Sequence, residues 1–113
     1  MTRLEVKDIM KEITKIIIDI RKTNKETGKT ELSKVYHIPL CDDGLLNDEI
    51  LQIENDFDLD VIYGDSIEDN IFIALGQAYL YGIDNNYYFN NEHEMETDKY
   101  IINYTLKPLF KWQ

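Results

Sequence analysis

Between Cys41 and Asp98 the chain carries no lysine and no arginine: fifty-eight consecutive residues hold sixteen acids and not one base. Nucleic acids and anionic membranes are held by clustered Lys and Arg, so this stretch excludes phosphate binding as its purpose. Cysteine is almost as scarce. Cys41 stands alone in 113 residues, which leaves no internal disulfide and no cysteine-ligated zinc site. With five glycines in all, there is no phosphate-cradling loop of the G-x-x-x-x-G-K type and no Gly-x-Ser-x-Gly elbow. Long hydrophobic runs are missing too. The longest apolar stretch free of charge, Ile71 to Ile83, is too short and too glycine-interrupted to cross a bilayer. The first twenty residues carry Arg3, Glu5, Lys7, Asp8, Lys11, Glu12, Lys15 and Asp19, which no secretory h-region tolerates. These absences predict a soluble protein of a reducing cytoplasm.

What is present is enough for one folded domain spanning residues 1–113. Apolar residues make up 43% and aromatics 12%, too many for a disordered acidic segment. Sixteen isoleucines against two alanines, with many Asn, Lys and Tyr, is the usage of an AT-rich genome, as in low-GC bacteria, their phages and their mobile elements.

The net charge of −10 is unevenly spread: residues 1–40 are net +3, residues 41–98 net −16 and residues 99–113 net +3. Single-sign fields of this size cost self-repulsion, so their retention asks for a use. Within the acidic segment, Asp56, Asp58 and Asp60 alternate, as do Glu92, Glu94, Glu96 and Asp98. In an extended chain alternate residues project to one side about 6.8 Å apart. That repeat is similar to the phosphate spacing of a nucleic-acid strand. Two such ladders, together with Asp42, Asp43, Asp65, Glu68 and Asp69, form the candidate partner-binding set. The bland reading of the same residues is a solvated acidic surface.

Coarse periodicity predicts an α+β domain: an N-terminal amphipathic helix and a second short helix packed on a mainly antiparallel β-sheet. Thr2 with Glu5 fits a capping box, and Val6, Ile9, Met10, Ile13, Ile16, Ile17 and Ile20 fit one helical face, so a helix is expected from Arg3 to Lys22. Thr23 to Thr30, with Gly28, reads as a connector, and Lys34 to Leu40 as a strand ending in a turn at Cys41 to Gly44. Asn47 to Phe57 reads as the short helix, with Asp48 and Glu49 suiting its dipole, and Asp58 to Tyr63 as a strand after it. Ser66 to Ile83 fits either a helix or two strands about a Gly76-Gln77 turn; the hairpin is preferred because the segment is uncharged over most of its length and rich in β-branched and aromatic residues. Tyr87 to Phe89 and Lys99 to Leu109 read as further strands, with Pro108 at an edge or an end.

Chemistry finds little support. Asp56-x-Asp58-x-Asp60 opens like a calcium loop, but position 6 is Val61 rather than Gly and position 12 is Ile67 rather than Glu. Cys41, His37 and His93 are the whole nucleophile-and-base inventory, with no orienting group at a recognisable spacing. No catalytic residue, metal ligand or cofactor is assigned.

A chain of this size, with these acidic ladders and a β-rich second half, resembles the small inhibitors that phages and mobile elements direct at DNA-handling enzymes: uracil-DNA glycosylase inhibitors, anti-restriction proteins and anti-CRISPR proteins. More locally, Glu92-His93-Glu94-Met95-Glu96, followed by Thr105-Leu106-Lys107-Pro108-Leu109-Phe110, is similar in order and spacing to the tail of the staphylococcal type of uracil-DNA glycosylase inhibitor. That family's Glu-Ser-Ile segment has its nearest counterpart in Asp65-Ser66-Ile67, well downstream of the expected place, so no family site residues transfer. The expectation is a non-enzymatic acidic mimic, monomer or homodimer, that docks on a basic nucleic-acid-binding enzyme such as a uracil-DNA glycosylase or a CRISPR effector and binds neither nucleic acid nor membrane itself. Tyr63, Tyr81, Tyr87 and Tyr88 would supply anchoring area. The alternatives are an immunity protein that neutralises a nuclease toxin and a phage structural or assembly subunit.

Overall fold

The computed structural model describes residues 13–39, 47–77 and 91–110. Four strands, β1 (Ile13–Asn24), β2 (Thr30–Pro39), β3 (Asn91–Glu96) and β4 (Tyr100–Phe110), form one antiparallel sheet in the order β2-β1-β4-β3. Two helices, α1 (Asn47–Phe57) and α2 (Val61–Gln77), complete an α+β domain.

β1 corrects the expected N-terminal helix over its second half; residues 3–12 lie outside the described residues. Ile16, Ile18 and Ile20 are fully buried, while Ile17 and Asp19 between them are only half-buried. The buried period is therefore two, not 3.6. The helical spacing of Ile13, Ile16, Ile17 and Ile20 is a coincidence within a run of β-branched residues, which lose side-chain freedom in a helix and pack well on a pleated surface. β1 is also central: it pairs with β2 through Ile18↔Tyr36 and with β4 through Ile18↔Leu106.

The turns explain themselves locally. Between β1 and β2 the Asn24 side-chain oxygen accepts from the amides of Glu26 (2.8 Å) and Thr27 (3.1 Å), and Gly28 takes the left-handed conformation, φ 70°, that a Cβ disfavours. Between β3 and β4, across Asp98-Lys99, the Thr97 amide donates to the Tyr100 carbonyl at 2.9 Å and Thr97 Oγ1 accepts from the Tyr100 amide at 3.0 Å.

A second correction concerns residues 58–63. They are a helix stop and a helix start, not a strand. Asp58 adopts φ 54°, its amide donates to the Asn55 carbonyl (3.4 Å), and the Leu59 amide reaches back to the Glu54 carbonyl (2.9 Å), which is the Schellman ending of α1. The Asp60 carbonyl then accepts from the amides of Tyr63 and Gly64, opening α2. α2 runs on to Gln77, so the preferred hairpin is also corrected; residues 78–83, Tyr87 to Phe89 and the expected turn at Cys41 to Gly44 lie outside the described residues. Ile67, Ile71, Ala74 and Leu75 are buried at helical spacing. The helices meet where Gly64 lies against buried Glu54; a methyl group at 64 would overlap that carboxylate.

Helices and sheet share one core. Ile50, Ile53 and Phe57 of α1 and the buried face of α2 join Ile16, Ile18, Ile20, Ile38, Ile102, Tyr104 and Leu106 from the sheet. Asn70 Nδ2 of α2 donates to the Tyr104 hydroxyl at 2.6 Å, tying the second helix to β4. Pro108 sits near the end of β4, two places past Leu106, the last residue paired with described β3. Because strand residues alternate faces, Asp19, Arg21, Asn103 and Thr105 point away from the helices, and the sheet keeps one open side.

Candidate partner-binding surface

The acids expected to act together are sorted by the fold into separate places. The second ladder keeps most of its form. On β3, His93 and Met95 face inward beside Tyr104 and Ile102, so Glu92, Glu94 and Glu96 must face outward opposite Thr105, Asn103 and Ile101. All three glutamates are exposed, and their alternate spacing along the strand is about 6.8 Å. Among the described residues β3 is an edge strand, so this row has no neighbour on one side. Lys25 pairs with Glu96 at 3.1 Å, an exposed contact worth little; no described lysine or arginine pairs with Glu92 or Glu94. Inboard of the row lies a polar depression of about 280 Å³ lined by Asp19, Arg21, Thr23, Asn103, Thr105 and Glu92. Asp98 does not continue the ladder. The strand stops at Glu96, and Asp98 occupies the tight turn.

The first ladder is absent because its residues are not extended. Asp56 sits in the last turn of α1 and is already engaged: it accepts from the Tyr36 hydroxyl (2.7 Å) and Gln52 Nε2 (2.8 Å) and pairs with Lys34 (3.3 Å). The Tyr36 hydrogen bond holds the Asp56 carboxyl below its ordinary range, outweighing partial desolvation, with Gln52 and Lys34 acting in the same direction. Burial and the same carboxylate push the Tyr36 hydroxyl far up. Asp56 is thus a tie between α1 and β2 and not a free phosphate mimic.

Asp58 and Asp60 meet Asp98 instead. These three, forty residues apart within the base-free segment, line a groove of about 500 Å³ whose walls include Lys22, Tyr63, Lys99 and Tyr100. Lys22 is the key cation: its ammonium lies 4.2 Å from the centre of the Tyr100 ring and donates to the Phe57 carbonyl at 3.2 Å, closing the C-terminus of α1. Glu31, as hydrogen-bond acceptor and as a nearby charge, raises the Tyr100 pKa, with desolvation and Asp58 adding to it. The Tyr63 hydroxyl donates to the Glu96 carbonyl at 3.0 Å, so this tyrosine braces the end of the ladder strand.

Asp65, Glu68 and Asp69 belong to α2, where Asp65 and Asp69 are exposed and Glu68 is half-buried. Asp42, Asp43 and Cys41, with Tyr81, Tyr87 and Tyr88, lie outside the described residues. His37 and His93 stand on β2 and β3, the two opposite edges of the sheet, at least about 14 Å apart across three strand spacings, and do not form a pair. Among the described residues no three His, Cys, Asp or Glu side chains are placed to hold a metal ion, and no helix is long and apolar enough to cross a membrane.

Sequence reading missed one feature of this surface. Val61, Ile62, Phe72 and Ile73 of α2 are exposed by 64, 68, 40 and 53%, giving the acidic helix an apolar outer stripe. The signal was in the segment itself, since Ile67, Ile71 and Leu75 at i, i+4 and i+8 already fill the buried face and leave Ile62 and Ile73 on the other side. Comparison with protein-family models, with curated proteins and with solved structures returns no match to this chain.

Proposed function

We propose that the chain is a protein-binding inhibitor without catalytic activity, an acidic nucleic-acid mimic that occupies the basic DNA- or RNA-binding cleft of a cytoplasmic enzyme, of which a uracil-DNA glycosylase or a CRISPR effector is representative. The observation that carries this reading is the outward row Glu92, Glu94 and Glu96 on an edge strand, evenly spaced and with two of its three carboxylates unpaired among the described residues. Lys and Arg side chains that otherwise hold phosphates would meet these carboxylates, and the net charge of −10 would steer the two proteins together. Asp58, Asp60 and Asp98 around the adjoining groove extend the same field past the end of the strand.

The test is competitive binding. In this reading the chain displaces DNA from such an enzyme, and replacing Glu92, Glu94 and Glu96 together by Gln leaves folding intact while weakening the complex at least about tenfold, mainly through slower association that no longer responds to salt. A complex between the chain and DNA itself at physiological salt, or full inhibition by the neutral-ladder variant, overturns it.

A further inference from the structure

The outer face of α2 has no role in the core and none in the β3 ladder, yet it is not a neutral solvated face. Ile62 and Val61 stand at its N-terminal end, Phe72 and Ile73 near its C-terminal end, and Asp65, Ser66 and Asp69 between them, all exposed. From Ile62 to Ile73 the stripe is about 16 Å long, three turns of helix. All seventeen residues of α2 are free of lysine and arginine, and the acids at its middle belong to the fifty-eight-residue stretch without a base. Singly exposed apolar side chains are ordinary on protein surfaces; four at the two ends of one helix face, with two aspartates centred between them that pair with no described lysine or arginine, are a pattern.

We propose that this face docks a basic amphipathic helix of a partner protein, one whose apolar side chains lie at the two ends of its contact stripe and whose Lys or Arg residues lie at the centre. Charge selects the occupant. A second copy of this chain would set Asp65 and Asp69 of one α2 against those of the other, which repel, and an acidic segment would do the same. A purely apolar helix would bury the two aspartates without partners. A basic-centred helix satisfies both parts: apolar ends cover Val61, Ile62, Phe72 and Ile73, and cations pair with Asp65 and Asp69 as water leaves. This reading stands independently of the mimic proposal, because it uses no residue of the β3 row.

The probe is a synthetic amphipathic peptide of about 15 residues with Leu and Ile at both ends of its apolar face and Lys and Arg at its centre, titrated into the full chain and followed by calorimetry at two salt concentrations. The expected result is one-to-one binding that Ile62→Ser with Ile73→Ser weakens at least about tenfold, and that Asp65→Asn with Asp69→Asn weakens about three- to tenfold while flattening the salt dependence. The Glu92→Gln, Glu94→Gln, Glu96→Gln variant binds the peptide as the parent does, which separates this site from the ladder whatever becomes of the mimic reading. Since all four α2 positions are exposed, circular dichroism melts of the variants should match the parent. The proposal is overturned if the peptide does not bind, if a Glu-centred peptide binds equally, or if the ladder variant weakens binding as much as the α2 variants do. It is also overturned if light scattering shows a dimer that the Ile62→Ser, Ile73→Ser variant dissociates, or if cross-linking places residues 78–90 of the same chain on this face.

Discussion

β1 and α2 are built from similar material and end in opposite conformations. Five isoleucines lie in the twelve residues of β1 and four in the seventeen of α2, and each segment contains an unbroken bulky run, Ile16-Ile17-Ile18 in one and Ile71-Phe72-Ile73 in the other. The runs themselves do not decide. What decides is where the next buried partners fall: Ile18 is followed by Ile20 two places on, whereas Ile71 is followed by Ala74 and Leu75, three and four places on. In β1 a strand buries the matching set, and in α2 only a helix does. Position in the fold reinforces each choice. β1 has hydrogen-bonding strands on both sides, while α2 satisfies its backbone internally and lays one face on the sheet.

The sharpest way to break this comparison uses two pairs of neighbours. In β1, Ile18→Ala should cost about 3 kcal/mol, as expected for a fully buried isoleucine, while Ile17→Ala should cost below about 1 kcal/mol. A helix on Ile13, Ile16, Ile17 and Ile20 would demand the reverse order. In α2, Ile71→Ala should also cost about 2–4 kcal/mol, and Ile73→Ser less than about 0.5 kcal/mol. Were this segment a strand, 71 and 73 would share a face and the two losses would be alike. Urea denaturation of the four variants gives all four numbers, and either inverted pair refutes the assignment of that segment.

The contrast also explains what was legible beforehand. α1 was readable because Asn47, Asp48 and Glu49 open it and Ile50, Leu51, Glu54 and Phe57 fall in helical register with no competing alternation; Ile50, Glu54 and Phe57 are buried, Ile53 joins them and Leu51 stays exposed. The β4 strand and the Gly28 turn were readable for the same reason, one period and one breaker. β1 and α2 were not, since a bulky run satisfies both periods locally, and which of the following positions become buried shows only once the non-local partners, Tyr36, Leu106 and Tyr104, are in place. The site followed suit. Glu92, Glu94 and Glu96 were legible because alternation within a true strand has one meaning; Asp56, Asp58 and Asp60 alternate equally well, but a helix end intervenes and sends one to Tyr36 and two to a groove. That Asp98 would join that groove depends on packing between segments forty residues apart, which no local pattern encodes.

A smaller effect tests the turn that separates the two helices. Asp58 holds a left-handed conformation at the C-terminus of α1, where a Cβ is disfavoured and Gly is preferred. Asp58→Gly should therefore stabilise the protein by about 0.5–1 kcal/mol, and it removes one charge from an acidic groove besides. Asp58→Val should destabilise it. In a strand the signs would be opposite, since glycine weakens strands and valine favours them, so thermal melts of the two variants discriminate by direction alone.

The smallest effect is a slope, and it lies where α2 meets the sheet. His93 stacks on Tyr104 at 5.0 Å between ring centroids, and Tyr104 accepts from Asn70 of α2; the Nε2 of His93 is buried with no hydrogen-bond partner among the described residues. Burial holds the His93 pKa below 6.5. Between that lowered value and 6.5 the unfolded chain takes up a proton that the folded chain refuses, so stability is full above about pH 6.5 and falls as the pH drops below it. Asp56, whose pKa is also lowered, loses its contribution only below its ordinary 3.8, and relief of repulsion among the acids acts in the carboxylate range, so neither masks the histidine between pH 7 and 5. His93→Phe keeps an aromatic ring on Tyr104 and cannot titrate. Melting temperatures measured across this window should decline less steeply with acidification in the variant than in the parent. Parallel lines would mean that His93 takes its proton as freely in the folded protein as in the unfolded chain, and that the seam between α2 and the sheet is open to water at this point.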